Sequence, residues 1–361
     1  MLIYFIVFLI AYCIGLHVEG ERGNIRILWA VVSFLPLALM AGLRAPEVGI
    51  DTGYYPLPFY HYSLNMPLPD MMARAGCEPG FSIFIWVVSR ATRSFNAVLF
   101  LVQCLMIAPL VWAIDKFDVR KISLVVLVYA CLVFPASLNI MRQSIAASFL
   151  LPALYFSLNR KWGRFFFVLL IAASFHLSAL LGLLLVPVGL LGTMESARRT
   201  RYIGLFLSIG ALAVASFLIF QTKILSFIAI FKESYSVALE EVGEGSFNTL
   251  VTVFPLYAGF LGFVAYRKHS ESLEGPILLS LSTVLAIAGE LSVLSVASPT
   301  LSRIGQLFLV FAPFTAAKIA DNSSSRLSAV SLTAFCLLIF YWVYCHGDAA
   351  GIVPYSIGLV G

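Results

Sequence analysis

The chain has 361 residues, 61% of them hydrophobic, 14% aromatic and only 11% charged, with a formal net charge of +5. A soluble globular domain carries about a quarter charged residues, so that class is excluded. Recurring apolar runs of helical length, in place of alternating ten-residue segments, exclude a transmembrane β-barrel. The basic excess sits in short loops, where it reports orientation in a bilayer and not a nucleic-acid surface.

The expected fold is all-α: a polytopic integral membrane protein, one domain over 1–361, with about 12 transmembrane helices. In chain order the spans are expected at 1–16, 27–43, 95–114, 122–138, 139–158, 165–175, 176–191, 202–220, 249–265, 277–295, 304–320 and 327–345. The first lacks a basic leading segment and a small-x-small cleavage site, and reads as a retained span. Six cysteines are scattered without CxxC or metal-ligand spacing.

Orientation follows from the short basic loops. Arg22 and Arg26, then Lys116, Arg120 and Lys121, then Arg160, Lys161 and Arg164, then Arg198, Arg199 and Arg201, then Arg267 and Lys268 mark the cytoplasmic side. Between Arg164 and Arg198 the chain has to cross twice, although only residues 165–191 are strongly apolar. Two full spans need about 40 residues, so a pair of short or broken helices turning near Ser174–Phe175–His176 is expected. Gly80–Arg93 does not fit as a full span without inverting everything downstream, and reads as a half-helix or interfacial helix. Irregular backbone at membrane depth is tolerated around a protein-lined or water-filled cavity. An outward-facing cavity bordered by broken helices is therefore expected. Two external segments are long: 44–80, with Pro46, Pro56, Pro58, Pro67 and Pro69, and 221–248, with an amphipathic stretch at Ile224–Val242.

This topology gathers the unusual polar residues on the outer side. Arg44 ends the second span and Asp51 and Thr52 follow it. Glu78 opens the half-helix. Asn139, Arg142 and Gln143 open the fifth span, His176 sits at the hairpin turn, Arg303 opens the eleventh span, and Tyr355 lies in the tail. An arginine inside an apolar segment costs roughly 2.5–3.5 kcal/mol at a helix centre and less near an interface. Each residue has a bland alternative: snorkelling to the interface for Arg142, lipid-phosphate contacts for Arg44 and Arg303, a turn cap for Asp51, a helix cap or a pairing with an arginine for Glu78, a helix cap for Asn139, a carbonyl hydrogen bond for His176. Their shared side is the argument for a site. Arg44, Arg142 and Arg303 suit a pyrophosphate, because a guanidinium keeps its charge and grips phosphate through a planar fork. Glu78, His176 and Asp51, in that order, are the candidates for proton transfer.

The series Arg44, Gly49-x-Asp51-Thr52 and Tyr55, then Glu78-x-Gly80-Phe81, Met141-Arg142-Gln143, Phe175-His176, Arg303 and Pro354-Tyr355 resembles the EpsG-like family, which is similar to the Wzy-type O-antigen polymerases. The resemblance runs from about residue 40 to the tail. Where the family usually reads Gly-Thr-Asp-Thr, this chain has Gly49-Ile50-Asp51-Thr52. It implies a glycosyltransferase of the bacterial cytoplasmic (inner) membrane. Such an enzyme polymerises polyprenyl-pyrophosphate-linked repeat units into O-antigen or exopolysaccharide at the periplasmic face, with a chain-length regulator as a partner. It implies Arg44, Arg142 and Arg303 as pyrophosphate ligands and Thr52, Tyr55, Asn139, Gln143 and Tyr355 as supporting residues. No GxGxxG or P-loop is present, the external carboxylates are unclustered, and no cofactor or metal is expected. An O-antigen ligase and a lipid-linked oligosaccharide flippase are the rival readings.

Overall fold

The computed structural model describes all residues except 22, 232–239, 241, 243–248, 269–274, 299, 322–325 and 359–361, and of the side chains also not those of 196–197, 228–231 and 326. Among the described residues the chain is helical, with no strand beyond a single antiparallel bridge between Arg44 and Ile357. Helices α1 (Leu2–Val18) and α2 (Gly23–Leu43) lead into three short helices, α3 (Ile50–Tyr54), α4 (Pro56–Asn65) and α5 (Leu68–Ala75). Then follow α6 (Pro79–Thr92), α7 (Phe95–Lys116) and α8 (Ile122–Val128), which continues through a π-turn at Tyr129–Val133 into α9 (Phe134–Ser137). Next come α10 (Met141–Leu158), α11 (Trp162–Phe175), α12 (Leu185–Gly189) between two 3₁₀ segments, and the long α13 (Ser196–Phe231). The chain ends with α14 (Thr249–Lys268), α15 (Gly275–Ser292), α16 (Ser302–Gln306), α17 (Ala312–Asp321) and α18 (Arg326–Ile339), the last extended by a π-turn to His346.

Among the described residues seven helices are long and apolar enough to cross a membrane, and four shorter apolar helices accompany them. Their outer faces carry exposed leucines and isoleucines such as Leu205, Leu212, Ile219 and Leu327. An aqueous protein does not expose such a surface at this density, whereas a lipid-facing bundle needs it. The hairpin at 162–193 turns where expected: α11 stops at Phe175, and His176 is extended at φ −158° and ψ 126°. Its second arm, Leu177–Thr193, is mostly 3₁₀. A 3₁₀ helix rises about 2.0 Å per residue against 1.5 Å, so these residues reach roughly 31 Å, enough for a bilayer core that an α-helix of equal length would not span.

One expectation is corrected. The helix expected at 202–220 does not end there; α13 bends at Phe220 (φ −108°, ψ 18°) and continues to Phe231. No Gly or Pro follows to stop it, and falling hydropathy alone does not end a helix. The first part of the expected external segment, 221–231, is thus helical and continuous with α13 after the bend, and most of the amphipathic stretch past 231 lies outside the described residues. The proline-rich segment 44–80 folds into α3–α5, with Pro56 starting α4 and Pro79 starting α6, where a missing N–H is harmless.

The two ends of the bundle differ in chemistry. At one end Arg26 pairs with Asp118 at 3.0 Å and Lys121 with Glu19 at 2.7 Å, and Lys318 donates to the Asp118 carbonyl at 3.0 Å. Arg160 donates to Thr193 at 2.6 Å where α10 has ended. At the other end, where α2 finishes and α10 begins, lie the residues considered next.

Candidate active site

The tail is the base of the site. Ala45 donates to the Ser356 carbonyl at 3.0 Å, Gly49 to Gly351 at 2.8 Å and Ile50 to Ala350 at 3.2 Å. Asn96 donates to the Gly42 and Gly358 carbonyls at 2.6 and 2.8 Å. Residues 300 or more positions apart thereby share a ladder at the end of α2. Gly49, at φ +93°, makes the turn into α3; a Cβ there would be strained and would lie 2.8 Å from the Leu138 carbonyl oxygen.

Under this ladder lies Arg44, 2% exposed. Its Nη2 donates to the Leu138 carbonyl at 3.0 Å and to Thr52 Oγ1 at 3.4 Å, while Nε has no hydrogen-bond partner among the described residues. Burial pushes the guanidinium down to about 10, with Tyr4 and Tyr355 acting in the opposite direction. Thr52, also buried, donates to the Val48 carbonyl at 3.1 Å and lies 3.3 Å from that of Leu138. Tyr355 donates to the Met40 carbonyl at 2.7 Å. Arg44, Thr52 and Tyr355 therefore sit behind the wall that carries the other residues.

In front of that wall is a small polar pocket of about 80 Å³ lined by Asp51, Tyr55, Asn139, Arg142, Gln143, His176 and Arg303, with Pro56, Phe81, Ile140 and Met141. Seven of the eleven residues singled out from the sequence line it. Asn139 does not cap α10; its Oδ1 accepts the Asp51 amide at 2.7 Å and fixes the first turn of α3. Arg142 Nη1 lies 2.8 Å from Glu78 Oε2, and its guanidinium stands 5.9 Å from the centre of the Tyr55 ring. Glu78 Oε1 accepts the Leu177 amide at 3.2 Å. Burial pushes the Glu78 carboxyl up, but its own backbone amide, Arg142, His176 and the Leu177 amide outweigh it, and the carboxyl lies below the ordinary glutamate value. Gly80 lets α6 come this close to the hairpin: a Cβ there would fall 2.4 Å from Ser174 Oγ and 2.7 Å from its carbonyl oxygen.

Gln143, 5% exposed, donates to the main-chain carbonyl of Arg303, tying α10 to α16. The Arg303 side chain is exposed, and among the described residues it makes no ion pair. His176 Nδ1 accepts the Ser178 amide at 3.3 Å and lies 2.7 Å from Ser178 Oγ. With Nδ1 accepting that amide, a ring proton sits on Nε2, and the ring is a donor on its other edge.

A second cavity of about 340 Å³ shares Asn139, Ile140, Gln143 and Arg303 with the pocket and extends among Leu132, Ala147, Phe254, Val310 and Ile339, edged by Thr252, Ser292, Ser295 and Tyr344. These edge residues were not anticipated from the sequence. Single hydroxyls inside apolar spans carry no signal, because most of them bond to their own helix, as Ser292 does to Ala288.

What decides the family is the whole-chain pattern. The sequence matches the EpsG family over residues 27–357. The chain belongs to the EpsG family. These are Wzy-like polysaccharide polymerases, so a glycosyltransferase-like polymerase of multi-pass membrane type is the class in which the pocket is to be read. No curated protein matches the chain, and no solved structure matches it.

Proposed function

We propose that this protein joins oligosaccharide repeat units carried on polyprenyl pyrophosphate, building an O-antigen or exopolysaccharide chain at the periplasmic face of the bacterial inner membrane. The observation that carries the reading is the meeting of Arg142, Arg303 and His176 in one pocket beside an apolar cavity large enough for the first isoprenes of a lipid. About 12 crossings are part of this reading, the four shorter apolar helices and α10 crossing with the seven long ones. The separation of the basic loops from the pocket supports the outward orientation.

The acceptor hydroxyl oxygen attacks the anomeric carbon of the donor sugar. The C1–O bond to pyrophosphate breaks, and the polyprenyl pyrophosphate leaves with the electron pair. Arg142, Arg303 and the Nε2–H of His176 stabilise its growing charge, and a preorganised donor of this kind is worth about 3–4 kcal/mol. The hydroxyl proton goes to a carboxylate. Glu78 is spent on Arg142 and Leu177 and is a weakened base, so we favour Asp51, whose carboxylate makes no hydrogen bond or ion pair among the described residues. Arg44, Thr52 and Tyr355 are read as the frame that holds the Leu138–Asn139 turn, not as ligands.

The test is a purified protein given one lipid-linked repeat and no nucleotide sugar or added metal. A ladder of longer lipid-linked products is expected, unaffected by EDTA. Translocation across a liposome without a ladder would replace the reading with a flippase, and product only with a lipid A-core acceptor would replace it with a ligase.

A further inference from the structure

The arginines account for the donor; the acceptor sugar has no assigned place. Resting on the polymerase reading, we propose that Tyr54 and Tyr55, with the Asp51 carboxylate, form the acceptor-saccharide subsite at the rim of the pocket. Tyr54 is 75% exposed and Tyr55 47%. They stand at the break between α3 and α4, where Tyr55 leaves helical geometry at φ −120° and ψ −66° and Pro56 starts the next helix. The mount is firm: Phe59 and Tyr60, one turn on, are 5% and 1% exposed within the apolar cluster that includes Phe81 and Phe95. Tyr55 and Asp51 both line the pocket, and Asn139 holds the Asp51 backbone in place at 2.7 Å.

The chemistry selects a sugar. A pyranose has faces rich in C–H bonds, which pack on a tyrosine ring, and a rim of hydroxyls, which donate to a carboxylate. The Tyr55 ring, which lines the pocket with the uncommitted Asp51 carboxylate, and the exposed Tyr54 next to it in the chain offer both. A second phosphate is disfavoured at Asp51 by like charge, whereas Arg142 and Arg303 lie within the same small pocket to receive one. The charges thus sort the two substrates: pyrophosphate to the arginines, neutral hydroxyls to the aspartate. Anchoring at the headgroup layer, a frequent use of tyrosine, accounts for the exposure of Tyr54 but not for a half-buried carboxylate in the same turn that makes no hydrogen bond or ion pair among the described residues.

The experiment uses the full chain in nanodiscs and the repeat-unit oligosaccharide released from its lipid by mild acid, which accepts but does not donate. With lipid-linked repeat as donor, Tyr54→Ala is expected to raise the KM for the soluble oligosaccharide on the order of tenfold, with a smaller change in kcat and an unchanged donor KM. Tyr54→Phe keeps the ring and is expected to keep the wild-type KM. Saturation-transfer NMR without donor is expected to show contact to the C–H protons of the terminal sugar in wild type and Tyr54→Phe, weakened in Tyr54→Ala. Unchanged acceptor KM and NMR contact in Tyr54→Ala, equal rises in donor and acceptor KM, or no contact in wild type would each overturn the subsite. The NMR arm needs no turnover: oligosaccharide contact that depends on Tyr54, without any ladder, would sink the polymerase reading and leave the subsite standing.

Discussion

Glu78 places one carboxylate oxygen 2.8 Å from Arg142 Nη1 and the other 3.2 Å from the Leu177 amide. One side chain thereby joins the start of α6, the first turn of α10 and the hairpin turn beside His176. The helix N-terminus favours this negative charge, and the pair offsets the poor placement of Arg142 in the positive end of α10.

That bridge has a pH signature. The folded Glu78 carboxyl lies below its ordinary value, so the contribution of the bridge is complete above the ordinary glutamate value and is lost as pH falls through the lowered one. Elongation rate and unfolding temperature in detergent are expected to drop together on that acid limb. Glu78→Gln is expected to be slower at neutral pH and to lack the limb. An acid profile identical to wild type in the glutamine variant would remove Glu78 from this role.

The two pocket arginines are expected to behave alike. Arg142→Ala and Arg303→Ala should express normally and lose about 10²–10³ in elongation rate, since each removes a donor to developing charge. Arg→Lys should restore only part, because a point charge lacks the two-pronged fork. Wild-type elongation by purified Arg142→Ala would defeat the proposed mechanism.

Arg44 is expected to differ from both. Removing it leaves the Leu138 carbonyl without its 3.0 Å donor beneath the tail ladder, a loss of about 1–3 kcal/mol for a buried polar group. Arg44→Ala should therefore lower the unfolding temperature clearly, whereas Arg303→Ala, at an exposed side chain, should not. The comparison is made by thermal unfolding in one detergent. Full stability of Arg44→Ala with lost elongation would return Arg44 to the substrate ligands.

Arg44 also marks where the sequence stops being legible. Spacing and basic loops put Arg44, Arg142 and Arg303 at one end of the helices, and Arg142, Arg303, His176, Asp51 and Tyr55 do meet in one pocket. Depth within that end is another matter. It depends on the tail returning over residues 43–50, a pairing of distant segments that no local pattern encodes. Asn139 illustrates the same limit: its position before a helix reads as a cap, yet its amide oxygen serves Asp51 on another element. The Glu78-x-Gly80 pair was legible as a motif, but the reason for the glycine, the Ser174 backbone against α6, appears only in three dimensions. Hydropathy located the helices well and failed at 220, where polarity rises without a residue that breaks a helix.

The orientation is open to direct measurement. Asn65 and Asp70 are exposed on the side of the bundle that carries α4 and α5, and Asn159 is exposed where α10 ends. An 18-residue helix is about 27 Å long, so the two ends of α10 lie on opposite faces of a bilayer core if α10 crosses it. The described basic groups near the Asn159 end, among them Arg26, Lys116, Arg120, Lys121, Arg160, Lys161, Arg164 and Lys318, favour the cytoplasm there. In a variant lacking the six native cysteines, Asn65→Cys is expected to react with a membrane-impermeant maleimide applied to intact spheroplasts. Asn159→Cys is expected to react only after the membrane is opened. The reverse pattern would put the pocket on the cytoplasmic side, where a substrate already flipped outward never reaches it, and would end the case for periplasmic polymerisation whatever the arginine variants show.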